Sequence, residues 1–179
     1  MIHSEHPFKP DPADRDLARR FRGRLAAGVT IVTAGRESDW TGLTVSSLLV
    51  VQGEPAQAHL VVGPSTDLWD AAAETGHFII HICRYEDRRM ADVFAGLWPS
   101  PGGSFAGVPV TQSQWGPVLG DLPDRAYCRF ESREEVGWSG VVVGLIEQVE
   151  VSDLQDPMVH FRSGYHRLQI PRTMGGFEG

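Results

Sequence analysis

Apolar positions along this chain recur mostly with the short period of strands. Val29-Thr30-Ile31-Val32-Thr33 is β-branched throughout and predicts a strand. Gly35–Asp39 is a polar turn, and the chain returns at Trp40 to complete a hairpin. The run Gly42–Val51 continues that strand and would place Thr44, Ser46 and Ser47 in the middle of a sheet. After a turn at Gly53-Glu54-Pro55, a second apolar run, Leu60-Val61-Val62, ends in Gly63-Pro64-Ser65-Thr66-Asp67. Phe78–Cys83 is nearly all apolar, which predicts a strand buried on both faces. Ala126–Val136 and Val141–Val151 read as two long strands joined through Gly137-Trp138-Ser139-Gly140. In the first, Cys128 and Phe130 alternate with Arg129, Glu131 and Arg133, so one face meets solvent. Pro157–Leu168 supplies a last strand.

Helical spacing is confined to short segments. Asp14 or Asp16 can cap a helix running to about Ala27, with Leu17, Phe21 and Leu25 as its apolar stripe and Gly28 as its left-handed stop. Asp67–Thr75 carries Leu68, Ala71 and Ala72 on one face and ends at Gly76. Glu86–Ala95 turns Met90, Val93 and Phe94 inward, and the Gly- and Pro-rich stretch Gly96–Gly103 is a surface loop. The expected fold is mainly β, a small antiparallel barrel with peripheral helices. Residues 1–13, with Pro7, Pro10 and Pro12 among charges, read as a flexible arm. Residues 14–170 form one domain, and residues 171–179 a tail.

Composition narrows the function classes. Apolar residues make up 41% of 179, enough for a packed core. Lys and Arg number 16 against 23 Asp and Glu, a net charge of −7, which argues against nucleic acid or an anionic membrane as partner. No run reaches transmembrane length, and Met1–Asp16 is polar, so a cytoplasmic protein is expected. Cys83 and Cys128 are read as reduced, buried thiols. No zinc spacing, Gly-x-Ser-x-Gly elbow, P-loop or Rossmann fingerprint occurs. His77 and His81 are four apart on a strand, about 13 Å, too far to share an ion. His81 is expected in the core with one satisfied hydrogen bond.

Two hydroxyl clusters remain, Thr44/Ser46/Ser47 in a strand and Ser65/Thr66 at the start of a helix. A flat heteroaromatic ring with a phosphate tail needs such a pair: small residues beside the ring, and hydroxyls with helix N–H groups for the phosphate. The motifs follow in order as Gly28-Val29-Thr30-Ile31-Val32-Thr33, Gly42-Leu43-Thr44-Val45-Ser46-Ser47, Ser65-Thr66, Gly76-His77-Phe78-Ile79-Ile80-His81-Ile82, Phe94-Ala95-Gly96, Phe105-Ala106-Gly107-Val108-Pro109, Gly144 and Phe161-Arg162-x-Gly164-x-x-Arg167-Leu168. This series resembles the flavin reductase-like family of FMN-binding split-barrel proteins, over roughly Phe21 to Leu168.

The resemblance implies a homodimeric split antiparallel β-barrel that holds FMN, or alternatively FAD. It also implies NAD(P)H as co-substrate and a separate monooxygenase component as recipient of the reduced flavin. By position, Thr44, Val45, Ser46 and Ser47 would meet the flavin ring and ribityl chain. Ser65, Thr66 and Asp67 match the phosphate turn, and Phe105 and Ala106 the segment beside the cofactor. In this family Arg or Lys often precedes that Phe, where this chain has Ser104; Arg84, Arg88 and Arg89 are the alternative cations. Many members carry Gly-Asp-His at the long hairpin, with the His near the nicotinamide. Here Gly137-Trp138-Ser139 stands instead, leaving Trp138, Ser139 and His160 as candidates for a nicotinamide contact or lid. Two rivals accompany the reductase reading: an oxidoreductase that keeps its flavin, and a non-enzymatic flavin-binding dimer. A catalytic acid or base is not identified, because the redox work belongs to the isoalloxazine.

Overall fold

The computed structural model describes residues 12–168, with side chains from Leu17 onward. Residues 1–11 and 169–179, hence nearly all of the expected arm and the whole tail, lie outside the described residues. Helix α1 (Pro12–Arg22) leads into β1 (Ala27–Gly28), β2 (Thr30–Ala34), β3 (Thr41–Val45), β4 (Leu48–Val51) and β5 (Gln57–Val62). Then come α2 (Asp67–Thr75), β6 (His77–Ile82), a 3₁₀ turn (Tyr85–Asp87) and α3 (Arg88–Phe94). The chain continues as β7 (Val110–Ser113), β8 (Gly116–Leu119), β9 (Arg125–Val136), β10 (Ser139–Glu150), β11 (Met158–Phe161) and β12 (Gly164–Arg167).

Seven strands form one antiparallel sheet in the order β3-β2-β6-β9-β10-β5-β4. Its two edge strands, β3 and β4, are joined only by Ser46 and Ser47. In a flat sheet those edges would stand about 29 Å apart, whereas three peptide steps reach at most ~11 Å. The sheet must therefore curl until its edges nearly meet, which is the split barrel. Val61 N–H donates to Ser47 O at 2.9 Å and fastens the link to β5. Irregularities in the β9–β10 ladder at Val143/Gly144 and Ile146/Gln148 assist the curl.

The barrel interior holds Val32, Ala34, Val45, Leu60, Phe78, Ile80, Cys128 and Val142, and α2 closes it with Leu68, Trp69 and Ala72. Gly140 and Gly144 on β10 make room for two rings. A Cβ at Gly140 would stand 2.2 Å from Trp69, and one at Gly144 2.3 Å from Phe78. A second core, with Ile31, Cys83, Ala91, Phe94, Leu119, Leu122 and Met158, lies between the barrel wall, α3 and the outer hairpins. With cores on both sides, the β2 and β6 strands are covered on both faces, as the nearly all-apolar run at 78–83 requires.

Several expectations need correction. The run 42–51 is not one strand: it breaks at Ser46-Ser47, and β3 is a sheet edge rather than a central strand. The last segment is a hairpin, β11–β12, turning at Arg162-Ser163, both with positive φ (48° and 64°). Helix α1 stops at Arg22, and Gly28 lies in β1 instead of ending a helix; Leu17, Phe21 and Leu25 are exposed. The segment expected as a helix from Glu86 is a 3₁₀ turn followed by α3. The β7–β8 hairpin lies in a stretch where no strand was expected. Its Gly- and Pro-punctuated sequence obscures the alternation.

Candidate functional site

The entry to α2 leaves its first amides without a side-chain cap. Thr66 is the N-cap residue, with extended backbone (φ −87°, ψ 144°), yet no side chain caps the helix. Thr66 Oγ1 donates instead to Gly63 O at 2.7 Å, tightening the 63–66 turn. The first amides of a helix lack an intrahelical acceptor and stand at the positive end of its dipole. At α2 they are available to a phosphate oxygen. Ser65 is exposed beside them.

A cleft of about 370 Å³ opens between this helix start, the beginning of β3 and the loop at 102–105. Trp40, Gly42, Asp67, Ser104 and Phe105 line it, with Glu37 and Ser38. Phe105 forms one wall, edge-on to Phe94 (centroids 5.1 Å, 84°) and 5.6 Å from Trp40. Gly42 permits this packing, since a Cβ there would lie 2.6 Å from Phe94 Cε1. Trp40 is oriented by its Nε1–H, which donates to Gln112 Oε1 at 2.5 Å. On the far side of the 104–106 segment lies a second cleft of about 460 Å³, lined by Arg89, Met90, Val93, Trp98 and Ala106; Ser104 borders both.

The electrostatics are uneven. The first cleft carries two carboxylates, Glu37 and Asp67, and its lining includes no Lys or Arg. Of the alternative cations, Arg84 is held by Asp87 (Nε to Oδ2, 3.1 Å) and Glu86 (2.9 Å). Arg88 lies over the Tyr85 ring and donates to Tyr85 O. Arg89 sits 5.8 Å from the Trp98 centroid and faces the second cleft. The donors that a phosphate on the first cleft's side would meet are therefore the α2 amide N–H groups and the exposed Ser65 hydroxyl. The flat walls of Trp40 and Phe105 suit a heteroaromatic ring. On chemistry the residues present fit a flavin, with a modest grip on its phosphate.

The sequence-derived candidates are only partly gathered. Asp67 and Phe105 line the first cleft and Ala106 the second. Thr44 lies further along β3, where its Oγ1 donates to Ala91 O at 2.6 Å and ties the strand to α3. Its oxygen keeps a lone pair for a ligand. Val45 is buried in the barrel interior, so it can offer a ligand only backbone atoms. Ser46 and Ser47 form the half-buried link to β4. Trp138, 62% exposed, and Ser139 mark the β9–β10 turn, whereas His160 lies on β11 in a different sheet and packs 6.1 Å from the Tyr165 ring. Trp40, Glu37, Ser38 and the Gly102-Gly103 pair were not singled out from sequence. The φ values of 94° and 92° at that pair show why the loop carries glycines. Among the described residues no group of His, Cys, Asp and Glu is placed to hold a metal.

The chain matches the flavin reductase like domain over residues 22–169 and belongs to that family. It is 30% identical over 157 residues to the reductase component of 4-hydroxyphenylacetate 3-monooxygenase from Thermus thermophilus, covering 88% of this chain and 99% of that protein. An NADH-dependent FMN reductase of Streptomyces nodosus subsp. asukaensis is 27% identical over 162 residues, covering 86% and 84% of the two chains. The fold matches the NADH:FAD oxidoreductase SgcE6 of Streptomyces globisporus, solved with NAD and FAD fragments (TM-score 0.80, 20% identity, 92% and 99% of the chains). It also matches a nitrilotriacetate monooxygenase component B homologue from Mycobacterium thermoresistibile (TM-score 0.81, 21% identity, 95% of each chain).

Proposed function

We propose that this protein is an NADH-dependent flavin reductase that takes FMN, with FAD as the alternative, and supplies reduced flavin to a monooxygenase component. One observation carries the reading: the uncapped start of α2 opens beside a cleft walled by Trp40 and Phe105. Relatives named as NADH-dependent FMN reductases and as reductase components of monooxygenases support it. When bound, the flavin supplies the two-electron chemistry. The chain's own part is to grip and orient: the amides of Ser65, Asp67 and Leu68 and the Ser65 hydroxyl for the phosphate, with Thr66 holding that turn through Gly63 O, and the Thr44–Ser47 stretch and Phe105 for the ring and ribityl chain. Trp138 and Ser139 are assigned to the approach of the nicotinamide.

The working assembly in this reading is a homodimer. Leu49, Val50 and Val51 on the edge strand β4 and Val61 on β5 are exposed and apolar, a surface such a partner would cover. No helix among the described residues is long and apolar enough to cross a membrane, and the two buried free thiols suit the reducing cytoplasm. The deciding experiment is a visible spectrum of the purified protein with added FMN, followed by anaerobic NADH and then NADPH. Bleaching of the flavin band by NADH supports the reductase. Absence of any flavin binding overturns it.

A further inference from the structure

Four arginines line one pocket, Arg162 with its guanidinium carbon 5.2 Å from the Phe161 ring centroid. The pocket's volume is about 470 Å³, and Arg19, Arg20, Gly23, Arg24, Arg162 and Ser163 line it. The guanidinium groups come from two distant parts of the chain: the end of α1 with the turn after it, and the β11–β12 turn. The Arg162 N–H donates to Gly23 O at 3.0 Å and joins the two parts. Among the described residues none of the four makes an ion pair with a carboxylate. The chain as a whole carries −7, so this cluster runs against the mean field.

Helix electrostatics account for part of it. Cations are favoured at a helix C-terminus, and Arg19 and Arg20 stand in the last turn of α1. That argument does not reach Arg24, which lies past the helix, or Arg162, which comes from the β11–β12 turn. The second turn also departs from what hairpin folding alone would choose. Two-residue loops with both φ positive favour Asn-Gly, whereas this loop holds Arg162 and Ser163 at φ 48° and 64°. A side chain with five donors and one with a hydroxyl thus occupy positions where folding alone prefers small residues.

We propose that this pocket is an anion site for a diphosphate-bearing small molecule, with the guanidinium groups as the binding forks. Arg pairs with phosphate oxygens bidentately, and several forks in one concavity suit two linked phosphates. The volume falls in the range of small-molecule pockets and leaves space for the moiety attached to the diphosphate. A site bounded by six residues fits a nucleotide better than the broad face of an acidic protein. The diphosphate has two possible sources, the dinucleotide co-substrate or a separate nucleotide, and the site is argued without reference to the flavin cleft.

The test is calorimetric titration of the full chain with inorganic pyrophosphate and with ADP, at low and at raised salt. Wild type is expected to bind both saturably and one to one, more weakly as salt rises. Arg24→Gln with Arg162→Gln is expected to lose about tenfold or more in affinity for both, as charge-assisted hydrogen bonds are removed. Both residues are exposed, and an unchanged thermal midpoint and FMN affinity show that the variant is folded. No saturable binding by wild type would mean that the chain's own groups satisfy the arginines, and equal binding by the variant would put the ligand elsewhere; either result overturns the proposal. Inhibition by ADP competitive with NADH, and lost in the variant, identifies the co-substrate as occupant. ADP binding without effect on the KM for NADH identifies a separate nucleotide. Because the titration needs neither flavin nor turnover, its failure is distinct from failure of the reductase reading.

Discussion

His81 Nε2 accepts a hydrogen bond from the backbone N–H of Leu119 at 3.1 Å. An amide can only donate, so this nitrogen must be unprotonated, and Nδ1–H donates to Ile31 O at 3.1 Å. The neutral imidazole thereby ties β2 and β6 to the β7–β8 hairpin, satisfying both ring nitrogens where one bond was expected. The side chain is fully buried. Burial is the main cause that lowers its pKa from 6.5 to about 3; the Ile31 carbonyl opposes the shift and Arg125 adds to it. Between those values the unfolded chain binds the proton and the folded chain does not. Stability is therefore full above pH 6.5 and falls as pH drops toward 3, with a slope approaching ~1.4 kcal/mol per pH unit from this group. Urea titrations between pH 4 and pH 8 should show that decline. His81→Gln should flatten it while lowering stability at pH 8; an unchanged slope in the variant would assign the dependence to other groups.

Gly144 is a position where one methyl group decides packing. A Cβ there would lie 2.3 Å from Cζ of Phe78, which is fully buried, and 3.2 Å from Cys128 Cβ. Neither neighbour has free space to retreat into. Gly144→Ala should cost about 1–3 kcal/mol by overpacking, read as a lower urea midpoint with unchanged slope.

The thiols offer a check on the cores themselves. Cys83 and Cys128 are free and buried, one in each core. Desolvation pushes both thiols up, Cys128 to about 12, with Asp87 adding to the effect at Cys83 and Glu147 at Cys128. An aromatic disulfide reagent at pH 8 should find neither in the native protein and both after unfolding in guanidinium. Rapid native labelling would show that the cores open readily.

Local patterns told much of this in advance. The β-branched run at 29–33, the apolar run at 78–83 and the α2 segment each impose one conformation through their own residues, and the barrel class followed from them. What failed was long-range. Nothing local in Gly42–Val51 says that the chain passes from one sheet edge to the other across Ser46-Ser47. That break is set by closure of the whole sheet. The Arg162-Ser163 turn lacks the Gly or Asn that usually signals such a turn, so a hairpin read as one strand. Of the cleft's lining, Gly42 and Phe105 stood out through motif order, whereas Trp40 joins it only because Phe105 folds onto β3.

The phosphate grip can be separated from ring binding. Ser65→Ala with Thr66→Ala should weaken FMN more than riboflavin, because only FMN carries the phosphate. The Ser65 hydrogen bond to a charged group is worth roughly 1.5–3 kcal/mol, and losing the Thr66–Gly63 bond loosens the turn that aims the amides. Asp67→Asn should act in the opposite direction, tightening FMN several-fold and leaving riboflavin unchanged, since it removes a carboxylate from the cleft lining. Equal effects on both ligands, measured by fluorescence titration, would move the phosphate to the second cleft, where Arg89 is the cation at hand.

The β9–β10 turn sets the last prediction. Gly137 at φ 63° and Trp138 form a two-residue loop, closed by the pairing of Ser139 with Val136. The loop projects the indole outward, 62% exposed, and leaves the adjacent Ser139 half-buried. Hydride transfer needs the nicotinamide C4 within about 3–3.5 Å of the flavin N5, in line. A serine hydroxyl reaches less far than an imidazole and offers one polar atom in place of two. Serine at this turn should therefore leave flavin affinity unchanged but align the nicotinamide poorly. Anaerobic stopped-flow with NADH should show measurable but slow flavin reduction, faster in Ser139→His, with FMN affinity unchanged by that substitution and within a few-fold in Trp138→Ala. Fast reduction by wild type, indifferent to both substitutions, would place the nicotinamide away from this turn, with His160 on β11 the next residue to change. No reduction by either nucleotide, before or after Ser139→His, would favour a protein that binds flavin for another purpose.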